Sequence, residues 1–158
     1  MSKKKYTSTK TYTNIAPCAY RQHRADTHCN KIHGYAFSFH FEFESDELDV
    51  RNWVTDYGGL RPLKEQLEDW FDHTLLLAQD DPQYAEIKRL GEIGLAKITE
   101  VEATGCEALA AFLYEWVNTI FLPNSGDGER VWCARVEVRE TPSNMAYVSG
   151  HREDNEFE

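Results

Sequence analysis

The sequence predicts an α+β domain, an antiparallel four-stranded sheet with two helices on one face. Three observations carry this. Tyr35, Phe37, Phe39, Phe41 and Phe43 alternate with Ala36, Ser38, His40, Glu42 and Glu44, the period of two of a strand with one buried face. Two later segments, ending near Phe71 and Ile120, carry apolar residues at helical spacing. Strands, helices and strands follow one another in blocks, which marks α+β rather than an alternating α/β chain.

Taken in order, residues 9–16 read as a short strand. Pro17 to Lys31 is polar, with three cationic side chains and two histidines, and reads as a loop. Residues 33–44 form the long strand. Trp53 to Tyr57 is a turn or strand end, and Leu60, Leu63, Leu67, Trp70 and Phe71 place a helix over 59–71. Residues 74–103, with Asp80-Asp81-Pro82, Gly91 and Gly94, read as a long connection holding a short helix over 83–90. Thr104-Gly105-Cys106-Glu107 has the form of a capping box. It opens a helix whose stripe is Leu109, Phe112, Leu113, Trp116, Val117 and Ile120. Pro123 to Gly128 turns the chain into a strand over 131–139, and 146–149 is a short last strand. The Phe37–Phe43 stripe is expected to pack on Leu63, Leu67, Phe112 and Trp116. Residues 1–150 make one domain, and 151–158, with four acids and one arginine, a flexible acidic tail. A four-stranded sheet has unpaired edges, and closing a barrel from several copies is one remedy. A homo-oligomer is therefore expected.

Composition narrows the function classes. A chain of 158 residues is long enough for one domain with a real core. Its 41% hydrophobic and 13% aromatic content suits a soluble globular protein. No apolar run approaches a membrane span. The charged start Met1 to Lys5 lacks the apolar stretch of a secretory signal, so a cytoplasmic location is expected. Cys18, Cys29, Cys106 and Cys133 match neither a zinc ribbon nor a disulfide scaffold and should be free thiols. A net charge of −10 argues against nucleic-acid binding but leaves small anionic substrates open.

Three features carry chemistry. Cys29 stands four residues before His33 and Gly34, at the entrance to the long strand. Its thiol is either an inert buried group or a base whose acidity is raised by Lys31, Arg24 or His28. Asp72-His73 is either a helix-end pair or a proton relay in which the carboxylate fixes the imidazole. Glu140 closes a strand and is either a solvated charge or an acceptor for an amino-pyrimidinone edge.

Together these residues resemble the 6-pyruvoyl- and 6-carboxy-tetrahydropterin synthase family, over roughly Tyr12 to Gly150. The family pattern Cys-x-x-x-His-Gly-His reads here Cys29-x-x-x-His33-Gly34-Tyr35. The acidic residue before the first helix matches Asp56, the Asp-His pair Asp72-His73, the helix-opening Glu Glu107, and the pterin-anchoring Glu Glu140. The resemblance implies the tunnelling fold (T-fold), with copies ringed around a β-barrel as a trimer to hexamer. It also implies conversion of 7,8-dihydroneopterin triphosphate to a 6-carboxy- or 6-pyruvoyl-tetrahydropterin, for 7-deazaguanine (queuosine) or tetrahydropterin synthesis. Cys29, Asp72 and His73 would be catalytic, and Glu140 and Glu107 would bind the pterin. Lys31, Arg21 and Arg24 would offset the triphosphate charge. The family holds Zn2+ through three histidines, of which only His33 is present here. Cys18 and Tyr35 fall at the other two positions, with His23 and His28 as further loop candidates and His40 on the wrong strand face by parity. Two alternatives follow from the altered ligands: a pterin- or purine-binding T-fold protein without turnover, and an aldolase-like pterin enzyme.

Overall fold

The longest element follows directly from the aromatic alternation. In the computed structural model, which describes residues 4–155, β2 (His33–Ser45) runs through it. Phe37, Phe39, Phe41 and Phe43 are fully buried, and the side chains between them lie on the opposite face, as the pleat requires. β1 (Tyr6–Tyr20) pairs antiparallel with β2 along this length. The stretch after Pro17 is thus strand rather than loop. Its period is still two, because Cys18 and Tyr20 point inward; the cationic residues hide it by following only from Arg21. Between Tyr12 and Ala16 a bulge interrupts the register. Asn14 adopts a φ of 52° there, a conformation asparagine tolerates, and its N–H donates to Ser38 Oγ at 2.9 Å.

The helices start where local chemistry allows. Asp56 Oδ1 accepts the Gly58 N–H at 2.9 Å and opens a 3-10 turn over Tyr57–Leu60. This leads into α1 (Arg61–Phe71), whose first turn holds Pro62, where no N–H partner is needed. α1 buries Leu63, Leu67 and Phe71, and the Phe71 ring stacks on Phe39 at 5.4 Å. After α1 comes a segment that the sequence presents as a connection. It contains two strands and a helix: β3 (Thr74–Ala78), α2 (Tyr84–Glu92) and β4 (Lys97–Val101). β3 lies parallel to β1 and β4 parallel to β3. Leu76 joins the main core, whereas Leu75 and Leu77 pack with Ile87 of α2. A strand buried on both faces shows no alternation, so periodicity does not reveal it. It also means that α2 covers the face opposite α1 at this end of the sheet.

α3 (Cys106–Trp116) runs on into a π-type turn over Val117–Phe121 and buries Leu109, Leu113 and Val117. Phe112 is not core. It is 44% exposed and sits edge-on to Trp70 at 5.1 Å, on the flank of the stripe. The capping box does not form either. Gly105 is the N-cap, and Thr104 Oγ1 donates to the Arg21 carbonyl at 2.8 Å. β5 (Trp132–Thr141) and β6 (Asn144–Ser149) complete a six-stranded sheet of order β4-β3-β1-β2-β5-β6, not the four-stranded one expected. The segment that the sequence presents as a tail is docked over 151–155: His151 Nδ1 donates to Glu44 at 2.9 Å and Asn155 Nδ2 to Tyr114 Oη at 3.0 Å. Residues 156–158 of that segment, and 1–3 at the start, lie outside the described residues. All four cysteines are free thiols. No helix among the described residues is long and apolar enough to cross a membrane.

Candidate active site

The register Tyr20↔His33 brings the end of β1 to the beginning of β2. β5 reaches the same end with Glu140, and α3 starts there at Gly105. These four termini, with the loop carrying Cys29, enclose a cavity of about 190 Å³ lined by Tyr20, Gln22, Cys29, His33, Tyr35, Gly105, Cys106, Glu107, Glu140, Asn144 and Met145. Five of the sequence-predicted site residues meet here: Cys29, His33, Tyr35, Glu107 and Glu140. Larger hollows include about 560 Å³ beside Tyr6 and Trp53, about 550 Å³ beside Trp70 and Phe112, and about 220 Å³ beside His40 and Glu137. None of these three combines a thiol, an imidazole and a carboxylate, and the smaller cavity does.

Glu140 is the most constrained group. Its Oε2 accepts from the Tyr20 hydroxyl at 2.9 Å and from the Cys106 thiol at 3.8 Å. Oε1 has no protein donor among the described residues. Both partners remain protonated. Burial pushes the Cys106 thiol up to about 12, with the Glu140 and Glu107 charges adding to it. Burial likewise raises Tyr20 far above the ordinary phenol value, helped by its hydrogen bond to Glu140. They can therefore donate to the carboxylate and hold one of its oxygens in place. Sequence reasoning misses both roles: Tyr20 sits in an apparent loop and Cys106 in an apparent cap. Glu107, in the first turn of α3, brings a second carboxylate to the wall. The close approach of α3 depends on Gly105, whose φ is 106° and where an added Cβ would stand 2.3 Å from Gln22 Nε2.

Cys29 sits in a single 3-10 turn, His28–Asn30, capped by Thr27, and its carbonyl accepts the Gln22 N–H at 2.9 Å. His33 Nδ1–H donates to the Lys31 carbonyl at 2.7 Å. A carbonyl only accepts, so in the neutral ring the lone pair lies on Nε2. Tyr35 stands two residues on, on the same strand face, with its ring 5.2 Å from His33 and 6.2 Å from Tyr20.

Other sequence-predicted residues do not reach the cavity. Asp72 Oδ1 accepts from His73 Nδ1 at 2.7 Å, so the pair forms, but the His73 side chain is 82% exposed and neither residue lines the cavity. His73 has a φ of 53° and donates its N–H to the Pro17 carbonyl at 2.7 Å, which places the pair at the α1–β3 corner. Arg21 is clamped on Asp81 by two hydrogen bonds of 2.9 and 2.7 Å, and Arg24 pairs with Asp80. Neither lines this cavity.

The implied zinc set does not fit. Zinc needs deprotonated ligands. Cys18 is buried between Tyr35 and Thr74 in the register, outside the cavity wall. Burial first, then the nearby Glu140 charge, raises the Tyr35 phenol. His33 remains as the one suitable donor of the three. Among the described residues, the group of His, Cys, Asp or Glu close enough to share a metal lies on the opposite sheet face: His40, Glu42 and Glu137. The Arg135 guanidinium already occupies it, 2.9 Å from Glu137 and 3.5 Å from Glu42.

Comparison with known proteins now adds to this geometry. The model of the family described as 6-pyruvoyl tetrahydropterin synthase matches residues 12–151. A 6-carboxy-5,6,7,8-tetrahydropterin synthase of Aquifex aeolicus (strain VF5) is 31% identical over 91 residues, which is 56% of this chain and 56% of that protein. The match thus spans little more than half the length of that relative. Among solved structures, an uncharacterized protein from Wolinella succinogenes superposes with a TM-score of 0.78 at 19% identity, covering 93% of this chain and 99% of that one. The 6-pyruvoyl tetrahydropterin synthase of Caenorhabditis elegans superposes at 0.63 and 17% identity, covering 94% and 97%. These neighbours share the T-fold, here a six-stranded mixed sheet with packed helices. With the matched model spanning nearly all of the sheet and its helices, the chain belongs to the 6-pyruvoyl tetrahydropterin synthase family.

Proposed function

We propose that this chain is a pterin lyase that converts 7,8-dihydroneopterin triphosphate to a 6-substituted tetrahydropterin, with 6-carboxy-tetrahydropterin favoured by the name of the Aquifex aeolicus relative. The observation that carries it is the meeting of Cys29, Glu107 and Glu140 in one cavity. Glu140 Oε1, backed by an Oε2 that Tyr20 and Cys106 hold, accepts from the amino-pyrimidinone edge of the ring. Cys29 acts as the base and takes a proton from the side-chain carbon attached to that ring. The released C–H pair forms a double bond to ring C6 while the C6=N5 pair takes a proton at N5, so the ring is reduced as the side-chain carbinol becomes a ketone. Loss of the proton on the next carbon then forms a carbon–carbon double bond as the carbon–oxygen bond to triphosphate breaks, with its pair leaving on the phosphate. The 6-carboxy product further requires water to cleave the chain beyond its first carbon, releasing a two-carbon aldehyde. His33 Nε2, with its tautomer set by Lys31, is placed to receive or return a proton. Asp72–His73 would act across a boundary between copies in a homo-oligomer of three to six chains, since within one chain the pair lies away from the cavity. The product would serve 7-deazaguanine (queuosine-type) or tetrahydropterin synthesis in the cytoplasm.

Two variants test this. Cys29→Ala should lower turnover of dihydroneopterin triphosphate by at least about a hundredfold, the lower end for a lost proton-transfer group, with pterin binding retained. Glu140→Gln should weaken pterin binding by roughly one to three orders of magnitude. Turnover near the parent rate in Cys29→Ala would remove the thiol from the chemistry. A second reading, pterin binding without turnover, is favoured by one observation, the donor set unsuited to zinc. It predicts pterin affinity dependent on Glu140 with no triphosphate released by the parent.

A further inference from the structure

We infer that the cavity takes its ligand without a resident metal, as a slot for a planar amino-pyrimidinone ring walled by Tyr20, His33 and Tyr35 and held by Glu140. The inference rests on the pterin reading above and adds how the ring is held and what is not required to hold it. Three observations support it. First, the position of Tyr35, next to His33 on the strand face, holds a phenol ring packed against its neighbours rather than a second imidazole. Tyr20 lies 5.7 Å from His33 and 6.2 Å from Tyr35, and His33 meets Tyr35 edge-on at 5.2 Å and 84°. Tilted and edge-on rings at these spacings stabilise one another and present a π surface to a flat ligand. Second, the cavity wall contains no second imidazole, and Cys18 lies buried outside that wall. Among the described residues, no group of three His, Cys, Asp or Glu within mutual ligating reach includes His33 or any other residue of the cavity. Third, the polar anchoring is complete without a metal. Glu140 has one oxygen fixed by Tyr20 and Cys106 and the other without a protein donor, which suits a ligand that brings its own N–H donors.

Size points the same way. A cavity of about 190 Å³ is smaller than the roughly 300 Å³ at which pockets for drug-sized ligands begin. It suits one bicyclic ring, with any chain on that ring leading out. A metal-chelated side chain would make vicinal hydroxyls a condition of tight binding. An aromatic slot with a carboxylate makes the ring itself the condition. The ligand class is therefore a 2-amino-4-oxo-pyrimidine bicycle, and its side chain contributes little to affinity.

The test uses the full chain and two commercially stable probes, pterin, which has no side chain, and neopterin, which carries the trihydroxypropyl chain. Calorimetric titrations are made on protein as purified, after exhaustive chelation, and after addition of zinc chloride. Zinc alone is titrated in competition with a chromogenic chelator, for the parent and for Tyr35→His, which sets a second imidazole beside His33 on the same strand face. The expected result is that both probes bind within about threefold of each other, and that chelation or zinc shifts neither by more than about threefold, under 1 kcal/mol. The parent should compete poorly for zinc, and Tyr35→His should gain at least about tenfold, as a soft nitrogen donor is added. A parent that binds zinc as tightly as Tyr35→His overturns the inference, whatever happens with the probes. So does a loss of about tenfold or more in probe affinity on chelation that zinc restores. Failure of both probes to bind in every condition overturns the pterin reading instead, and the slot with it. The zinc competition tells these two failures apart, because it needs no pterin.

Discussion

Replacing Gly105 by alanine should damage stability and ligand binding through two separable causes. Gly105 has φ 106° and ψ 156°, a region almost closed to residues with a Cβ. Holding another residue there costs of order 1–3 kcal/mol. The new Cβ would also stand 2.3 Å from Gln22 Nε2. Gln22 is flexible and can rotate away, so this contact adds little to the loss of stability, but it displaces a cavity wall group. Gly94 separates the two causes. Its φ is 79° and nothing lies within 4 Å of an added Cβ, whereas Gly126 has open space and no positive φ. In denaturant unfolding, Gly105→Ala and Gly94→Ala should each lose about 1–3 kcal/mol, a fall in Tm of about 2–12 °C for a chain of this size. Gly126→Ala should stay within about 0.5 kcal/mol of the parent. In calorimetry with pterin, only Gly105→Ala should bind more weakly. If Gly105→Ala is as stable as Gly126→Ala, or binds pterin as the parent does, the account of how α3 approaches the cavity is wrong.

Tyr20→Phe removes a donor to Glu140 and should weaken pterin binding by about three- to tenfold, the worth of one hydrogen bond, with no change in the rest of the fold by circular dichroism. An unchanged affinity would show that Glu140 needs no such support. His151 is raised above its ordinary 6.5 chiefly by its hydrogen bond to Glu44. The stabilisation is therefore fully present below 6.5 and fades as pH rises through the raised value of the folded state. Because the His151 side chain is 56% exposed, solvent screens the effect and it should be small. The stability difference between the parent and His151→Gln should shrink as pH rises above 6.5, and a difference that grows with pH would contradict the assignment. Light scattering at micromolar concentration should show a multimer of three to six copies, and a monodisperse monomer would remove the proposed role of Asp72–His73.

The aromatic alternation of β2 and the helical stripes of α1 and α3 are legible because each buries one face, and one-sided burial leaves a period in the sequence. β3 escapes this logic. Thr74 to Ala78 is buried throughout, since the main core takes one side and α2 the other, and a run without alternation flanked by turn residues resembles a connection. The end of β1 is missed for a different reason: three inward positions, Ala16, Cys18 and Tyr20, are too few to outweigh the charged residues that follow. The capping box fails because Thr104 finds a better acceptor in the Arg21 carbonyl, a partner 83 residues away that no local rule can see. At the site the division is the same. Cys29, His33 and Glu140 are marked by their neighbours in the chain, whereas the parts of Tyr20 and Cys106 show only in contacts across the fold, chiefly with Glu140.

The two halves of the cavity are built from different elements. The half that would read the ring is built from termini of β1, β5 and α3, and its carboxylate depends on a tyrosine, a buried thiol and a glycine from separate segments. Tyr20 and Cys106 bond Glu140 directly and Gly105 sets where α3 begins, so a substitution at any of them acts on the carboxylate or the wall beside it. The half that would flank the ring rests on alternate positions of one strand, His33 and Tyr35, opposite Tyr20 and Cys18. On such a face an imidazole can give way to a phenol ring of similar breadth while the core beneath stays packed, because Phe37 begins the buried run just after it. Metal chelation can thus be traded for ring packing without disturbing recognition of the heterocycle. On the proposed reading, Glu140 anchors the ring from one set of elements while His33 and Tyr35 flank it from a single strand, so the carboxylate contact and the metal donor set can be altered separately.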